Sequence, residues 1–180
     1  MEYKLKRLGR KLIRAGSALD FFEDEMLLPS GKTENWEFVH HRRGGGACVV
    51  PVLPDGRILL IRQYRPCVDA ESLELPAGAR EDPSEDGACT ARRELEEETG
   101  FICSDLKFLA KIQTAMSWCD ESTEIYLARD IEKSGRMHPD DAEEITAEYY
   151  TLEELLQMIA EGKLQDAKTV AGILAYAAIK

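Results

Sequence analysis

Three glutamates crowd one short stretch of this chain: Glu94, Glu97 and Glu98, within Arg93-Glu94-Leu95-Glu96-Glu97-Glu98-Thr99-Gly100. A helical period of about 3.6 residues stacks Glu94 and Glu98 one turn apart, with Glu97 beside them. Like charges at that spacing repel by a few tenths of a kcal/mol, so a helix gains nothing by collecting them. A divalent cation reverses the sign. Hard carboxylate oxygens at this density suit Mg²⁺, with Mn²⁺ as a substitute, and such ions keep places for water and substrate phosphate. The chemistry indicated is a metal platform for phosphoryl or pyrophosphate chemistry. The plain alternative is a solvated acidic helix face, because charge runs commonly lie on surfaces.

Such a helix needs a scaffold on both sides of it. It is expected to run from Ser84 or Glu85 to Thr99, with Ser84 as N-cap and Gly100 as its left-handed stop. Upstream, residues 47–53 are a near-continuous apolar run, which predicts a strand buried on both faces. Pro54-Asp55-Gly56 turns the chain into a second strand over 57–63, and 71–75 reads as a third. Downstream, 106–114, 123–130 and 145–150 read as strands, while the acidic stretch 134–144 reads as a loop. Thr151 with Glu154 forms a capping box for a helix over 152–160, and 167–179 predicts the last helix. Residues 4–13, 18–28 and 35–41 form a small antiparallel meander, and Gly44-Gly45-Gly46 reads as a joint. The expected organisation is therefore a meander over 1–43 and an α/β domain over 44–180.

Composition narrows the partners. The 180 residues carry 34 acidic and 23 basic side chains, a net charge of −11, which argues against nucleic acid as a partner. An acidic protein acting on an anionic substrate needs a metal or local arginines, and both are on offer. No apolar run is long enough to span a membrane, and the N-terminus lacks a signal-peptide core, so a cytoplasmic protein is expected. The five cysteines show no CxxC spacing and read as reduced, mostly buried small hydrophobes.

The ordered set Gly78, Glu85, Arg93, Glu94, Leu95, Glu97, Glu98 and Gly100 resembles the Nudix box of the Nudix hydrolases. The spacing from Gly78 to Glu85 is one residue longer than the family pattern, in the turn around 81–84. Arg62-Gln63-Tyr64-Arg65-Pro66, Glu74-Leu75-Pro76-Ala77-Gly78 and the stretch 161–169 are similar to the ADP-ribose and nucleoside diphosphate sugar pyrophosphatase group. The resemblance implies a Nudix α/β/α sandwich with a mixed sheet. It also implies Mg²⁺-dependent cleavage of a nucleoside diphosphate sugar, such as ADP-ribose or GDP-mannose, into a nucleoside monophosphate and a sugar phosphate. Glu94, Glu98 and Glu97 would then hold the metal with the backbone carbonyl of Ala77, and Arg93 would orient a glutamate. The residue that positions the attacking water would be Glu143, with Glu144 and Asp141 behind it. Arg65 would contact a phosphate and Glu74 a hydroxyl or the metal's waters, unless the two are a strand-edge ion pair. Trp36, with Phe38 as its rival, would stack on the base, and Glu121 would reach the sugar or metal region. Met116 stands where ADP-ribose-specific members carry a proline, which opens the pocket to other nucleotide sugars, with Trp118 as a further wall. A homodimer through the N-terminal strands follows from the same likeness. The rival readings are another Nudix chemistry (nucleoside triphosphate sanitation or decapping) and a non-catalytic nucleotide-binding regulator on the same fold.

Overall fold

The computed structural model describes residues 3–134 and 144–180. It opens with β1 (Lys6–Ala15), β2 (Leu19–Leu27) and β3 (Thr33–His41), an antiparallel meander in that order, as expected. Arg10 grips the buried Asp24 through two hydrogen bonds of 2.7 Å, which ties β1 to β2. β1 itself is exposed along its length. The meander meets the rest of the chain at its last residues. Val39 N–H donates to the Trp118 carbonyl (2.7 Å), and His41 N–H donates to Asp120 Oδ1 (2.9 Å).

The next strand, β4 (Gly45–Pro51), is buried at every position. Its side chains alternate between two cores. Ala47 and Val49 join Leu59, Ile61, Ala91 and Leu95, whereas Cys48 and Val50 join Ile58, Leu60, Leu155 and Ile173. A strand apolar on both faces must lie between two layers. β5 (Ile58–Arg65) and β6 (Ala70–Glu74) follow, then β7 (Ala77–Ala79), α1 (Gly87–Thr99), β8 (Phe101–Gln113), β9 (Ser122–Lys133), β10 (Thr146–Tyr150), α2 (Leu152–Ala160) and α3 (Ala167–Ala177). One sheet has the order β7-β4-β9-β8, with β4 and β9 parallel and the other pairs antiparallel; the second is β10-β5-β6. α1 covers the face with Val49 and Leu59, and α2 and α3 cover the opposite one. This is the expected mixed-sheet α/β/α sandwich.

Several local expectations are corrected. The N-cap of α1 is Asp86, whose carboxylate accepts from Ala88 N–H (2.9 Å), and not Ser84. Ser84 is instead drawn into the preceding turn by Asp82, so Glu85 lies outside the helix and not in its first turn. Gly45 and Gly46 are not a loose joint. They begin β4, and a Cβ on either would overlap the backbone of Ser122 or Gly78, so glycine is what lets these strands close up. β8 starts at Phe101, directly after the helix, because Phe101 buries its ring beside Ile131 and β9 extends to pair with it. The cysteines are free, yet Cys48 alone is buried, while Cys67 and Cys89 are exposed. The Thr151–Glu154 capping box and the Gly100 stop are present as expected.

If Asp86 caps α1, Asp86→Ala costs about 1 kcal/mol, read as a fall of about 2–4 °C in thermal midpoint. Ser84→Ala should change stability by less than about 0.5 kcal/mol.

Candidate active site

α1 turns Glu94 and Glu98 towards β7, and both are buried, at 9% and 2% exposure. Glu98 Oε2 accepts from Ala77 N–H at 2.9 Å. Glu94 fills the space above Gly78, where a Cβ would overlap its carboxylate. Any other residue at 78 would push that side chain away. Arg93 is the organiser of the cluster. Its Nη1 donates to Glu94 Oε1 (2.6 Å) and Glu97 Oε2 (3.0 Å), and its Nη2 donates to the Ala79 carbonyl (2.9 Å). Its Nε is buried without a hydrogen-bond partner and faces Glu85 Oε1 at 3.7 Å.

Two buried carboxylates on successive turns, beside a strand that presents backbone carbonyls, form an all-oxygen donor set suited to a hard divalent cation. Among the described residues, no three His, Cys, Asp or Glu side chains gather closely enough to hold an ion by themselves. Mg²⁺ tolerates that shortfall, because it binds through one or two carboxylates and takes its other ligands from water and phosphate. The residues present therefore fit such an ion.

Ala77 and Gly78 also line a cleft of about 370 Å³, together with Arg65, Thr114, Glu121 and Lys168. Arg65 and Glu74 do not act apart. Arg65 Nε and Nη2 donate to Glu74 Oε1 and Oε2 at 2.7 and 2.6 Å, and Lys168 adds a further ion pair to Oε2. Glu74 is 2% exposed and both its oxygens are taken, so the strand-edge ion-pair alternative is the arrangement found. Burial alone would raise its carboxyl pKa, but Arg65 and Lys168 outweigh that and pull it down to about 2. Lys168 in turn reaches Asp166, the N-cap of α3, at 3.0 Å. Burial works against its ammonium, but Asp166 and Glu74 more than offset this and keep its pKa raised. Thr169, next along α3, donates to Asp166 (2.6 Å) and accepts from Leu75 N–H (2.8 Å).

The structure thus brings Arg65, Glu74, Ala77, Glu94, Glu98, Arg93 and Glu121 to one place. Trp36 stands apart, on β3, in a separate hollow with Phe38 and Ser117. Met116 and Trp118 line a third cavity, of about 400 Å³, with Phe38, His40 and Asp120. Segment 114–121 forms the wall between this cavity and the cleft, since Thr114 and Glu121 face one and Met116 and Asp120 the other. Glu143 and Asp141 lie outside the described residues, and Glu144 is exposed. Sequence reasoning missed Lys168, Asp166 and Thr169 as site residues. An Asp directly ahead of an apolar helix was the available signal for the cap, but nothing local revealed that Lys168 pairs with Glu74.

The depressed Glu74 carboxyl makes a pH prediction. A carboxylate with a lowered folded pKa stabilises the fold fully above its ordinary value near 4.5, and that contribution drains away as pH falls towards 2. The shift is worth about 3 kcal/mol. Urea unfolding of the parent should show this loss across the window. Glu74→Gln should start less stable at neutral pH and lose less across the same interval.

Comparison with known proteins gives the family. The family model described as NUDIX domain matches residues 42–172. A methanol dehydrogenase activator of Bacillus methanolicus is 32% identical over 95% of this chain and 91% of its own. An ADP-ribose pyrophosphatase of Bacillus subtilis is 30% identical over 93% of this chain and 90% of its own. A solved ADP compounds hydrolase superposes with a TM-score of 0.84 at 21% identity, covering 98% of this chain and 94% of that one, a likeness in fold. With a family model spanning most of the chain and relatives this similar along nearly all of it, the chain belongs to the Nudix family.

Proposed function

We propose that this protein is a Mg²⁺-dependent hydrolase. Its substrate is a nucleoside diphosphate sugar of the ADP-ribose or GDP-mannose kind, split at the pyrophosphate into a nucleoside monophosphate and a sugar phosphate. One observation carries the reading: the buried Glu94 and Glu98 stand against Ala77 and Gly78, which line a cleft that also holds the cations Arg65 and Lys168. The substrate class is supported by relatives named ADP-ribose pyrophosphatase and, in mouse, ADP-sugar pyrophosphatase.

In this reading Glu94, Glu98 and Glu97, with the Ala77 carbonyl, hold Mg²⁺ or, in its place, Mn²⁺. A metal there supplies Lewis-acid polarisation of phosphate oxygens. Arg93 keeps Glu94 and Glu97 turned inwards against their mutual repulsion. Arg65 offsets phosphate charge, and Glu74 fixes the direction of its guanidinium rather than touching substrate itself. Glu121 accepts from the sugar, and Met116, on the far face of the same wall, acts on the sugar end only through segment 114–121. Glu143 positions the attacking water, with Glu144 and Asp141 as the rival groups. Trp36 lies outside this chain's own cleft, which favours service to the cleft of a second copy, in a homodimer joined through β1, β2 and β3. No described helix is long and apolar enough to cross a membrane. A cytoplasmic setting belongs to the proposal, and its five cysteines are free.

Incubation with a panel of nucleotide sugars, with products separated by chromatography, tests the reaction. Release of monophosphate and sugar phosphate should vanish with a chelator and return with Mg²⁺. Glu98→Gln should lower kcat/KM at least about 100-fold without loss of fold. Glu143→Gln should lower kcat about 10²–10⁴-fold with KM near the parent's, whereas the same change at 144 should do far less. Tight binding without turnover would instead establish a non-catalytic regulator, and preference for triphosphates or capped RNA would establish a different Nudix chemistry.

A further inference from the structure

His41 is a buried side chain beside the cleft to which the proposed function gives no task. It ends β3 and is 7% exposed, at the point where the meander, the start of β4 and the start of β9 meet. Gly45 N–H donates to its ring nitrogen Nδ1 at 3.0 Å. A ring nitrogen that accepts in this way carries no hydrogen, so the network assigns the ring hydrogen to Nε2. Nε2 faces Glu121 Oε1 at 3.9 Å. The other oxygen, Oε2, accepts from the Thr114 hydroxyl at 2.6 Å, and Thr114 and Glu121 both line the cleft.

We propose that His41 is a positioning residue that acts through Glu121. Its Nε2–H holds one carboxylate oxygen while Thr114 holds the other, so that the remaining lone pairs face a sugar hydroxyl of the bound nucleotide sugar. This rests on the reading of the cleft as a nucleotide-sugar site. The 3.9 Å gap is too long for a direct hydrogen bond and closes by rotation of the partly exposed Glu121 or by one bridging water. His41 is the fixed member of the pair. Its backbone N–H is held by Asp120 Oδ1 at 2.9 Å and its ring by Gly45, so the adjustment falls to Glu121. The neighbouring His40 turns the other way, onto Asp120 Oδ2 at 2.6 Å, and takes no part. Without His41, the Glu121 side chain must be ordered at each binding event, a cost that appears in KM.

Two substitutions separate anchoring from positioning. His41→Asn leaves an oxygen near the Nδ1 place to accept from Gly45 but has nothing at Nε2, whereas His41→Gln can carry an amide N–H towards Glu121. With ADP-ribose and Mg²⁺, His41→Asn should raise KM about 3- to 10-fold while kcat changes less than about twofold. His41→Gln should recover part of that loss. In a Glu121→Gln background, His41→Asn should add little. Nitrogen NMR of the parent, which needs neither turnover nor a variant at 41, should show hydrogen on Nε2 and none on Nδ1. The Nε2–H resonance should move in Glu121→Gln protein. A hydrogen on Nδ1, an Nε2–H unmoved by Glu121→Gln, or full additivity of the two substitutions would overturn the assignment. Absence of cleavage by the parent would defeat the functional reading alone, since the NMR result still decides the His41–Glu121 contact.

Discussion

Everything in the site hangs on carboxylates packed where a side chain is missing. Glu94 occupies the space above Gly78, and Glu98 takes the neighbouring Ala77 N–H. Burying two negative groups a helical turn apart is costly unless each finds a donor or a cation. Arg93 meets part of that demand from the helix itself, by spanning Glu94, Glu97 and the Ala79 carbonyl. The rest of the scaffold follows from the close approach of α1 to β7. β7 must be short and small-residued, β4 must carry glycine at 46, opposite Ala79 and against the Gly78 carbonyl, and Leu95, on the adjoining face of α1, must be fully buried to hold the helix down.

A second constraint is electrostatic. A chain with a net charge of −11 repels an anionic substrate at long range, so attraction has to be local. The cations lining the cleft are Arg65, which is partly exposed, and the more enclosed Lys168, each held in orientation by a carboxylate. Glu74 is the shared counter-ion between them. Because Thr169 and Asp166 tie the start of α3 to Leu75, the C-terminal helix fixes the strand that leads into Ala77. A helix distant in sequence from the box is therefore part of the same mechanical unit.

Elements governed by a single dominant local signal were legible in the chain. The glutamate helix, the capping box at Thr151 and the doubly buried β4 all declare themselves by period, cap or apolar run. Where several local signals competed, sequence alone went astray. The stretch Ser84-Glu85-Asp86-Gly87 offers more than one capping side chain, and only the engagement of Ser84 with Asp82 leaves the role to Asp86. Gly44-Gly45-Gly46 reads as flexible because glycine is compatible with both looseness and tight approach, and the neighbouring backbone decides which holds. Arg65 and Glu74 are not opposite each other in the β5–β6 ladder, where Arg65 faces Ala70 and Glu74 faces Ile61, so their ion pair depends on the reach of the arginine side chain. The ion pair of the partly buried Lys168 with Glu74 spans 94 residues of sequence.

The meander's relation to the cleft follows from where the two touch. β3 is bound to segment 118–120 by Val39 N–H to Trp118, by Asp120 N–H to Val39 and by the Asp120 carboxylate to His40 and His41. The same segment is the wall that carries Thr114 and Glu121 into the cleft and Met116 and Trp118 out of it. A displacement of β3 must therefore move the wall or break several hydrogen bonds at once, and a packed junction does not deform gradually. The three-stranded sheet, with β1 exposed along its length, would be marginal by itself. Anything that steadies the sheet also steadies the wall, so the placement of Glu121 in the cleft depends on residues that never approach it.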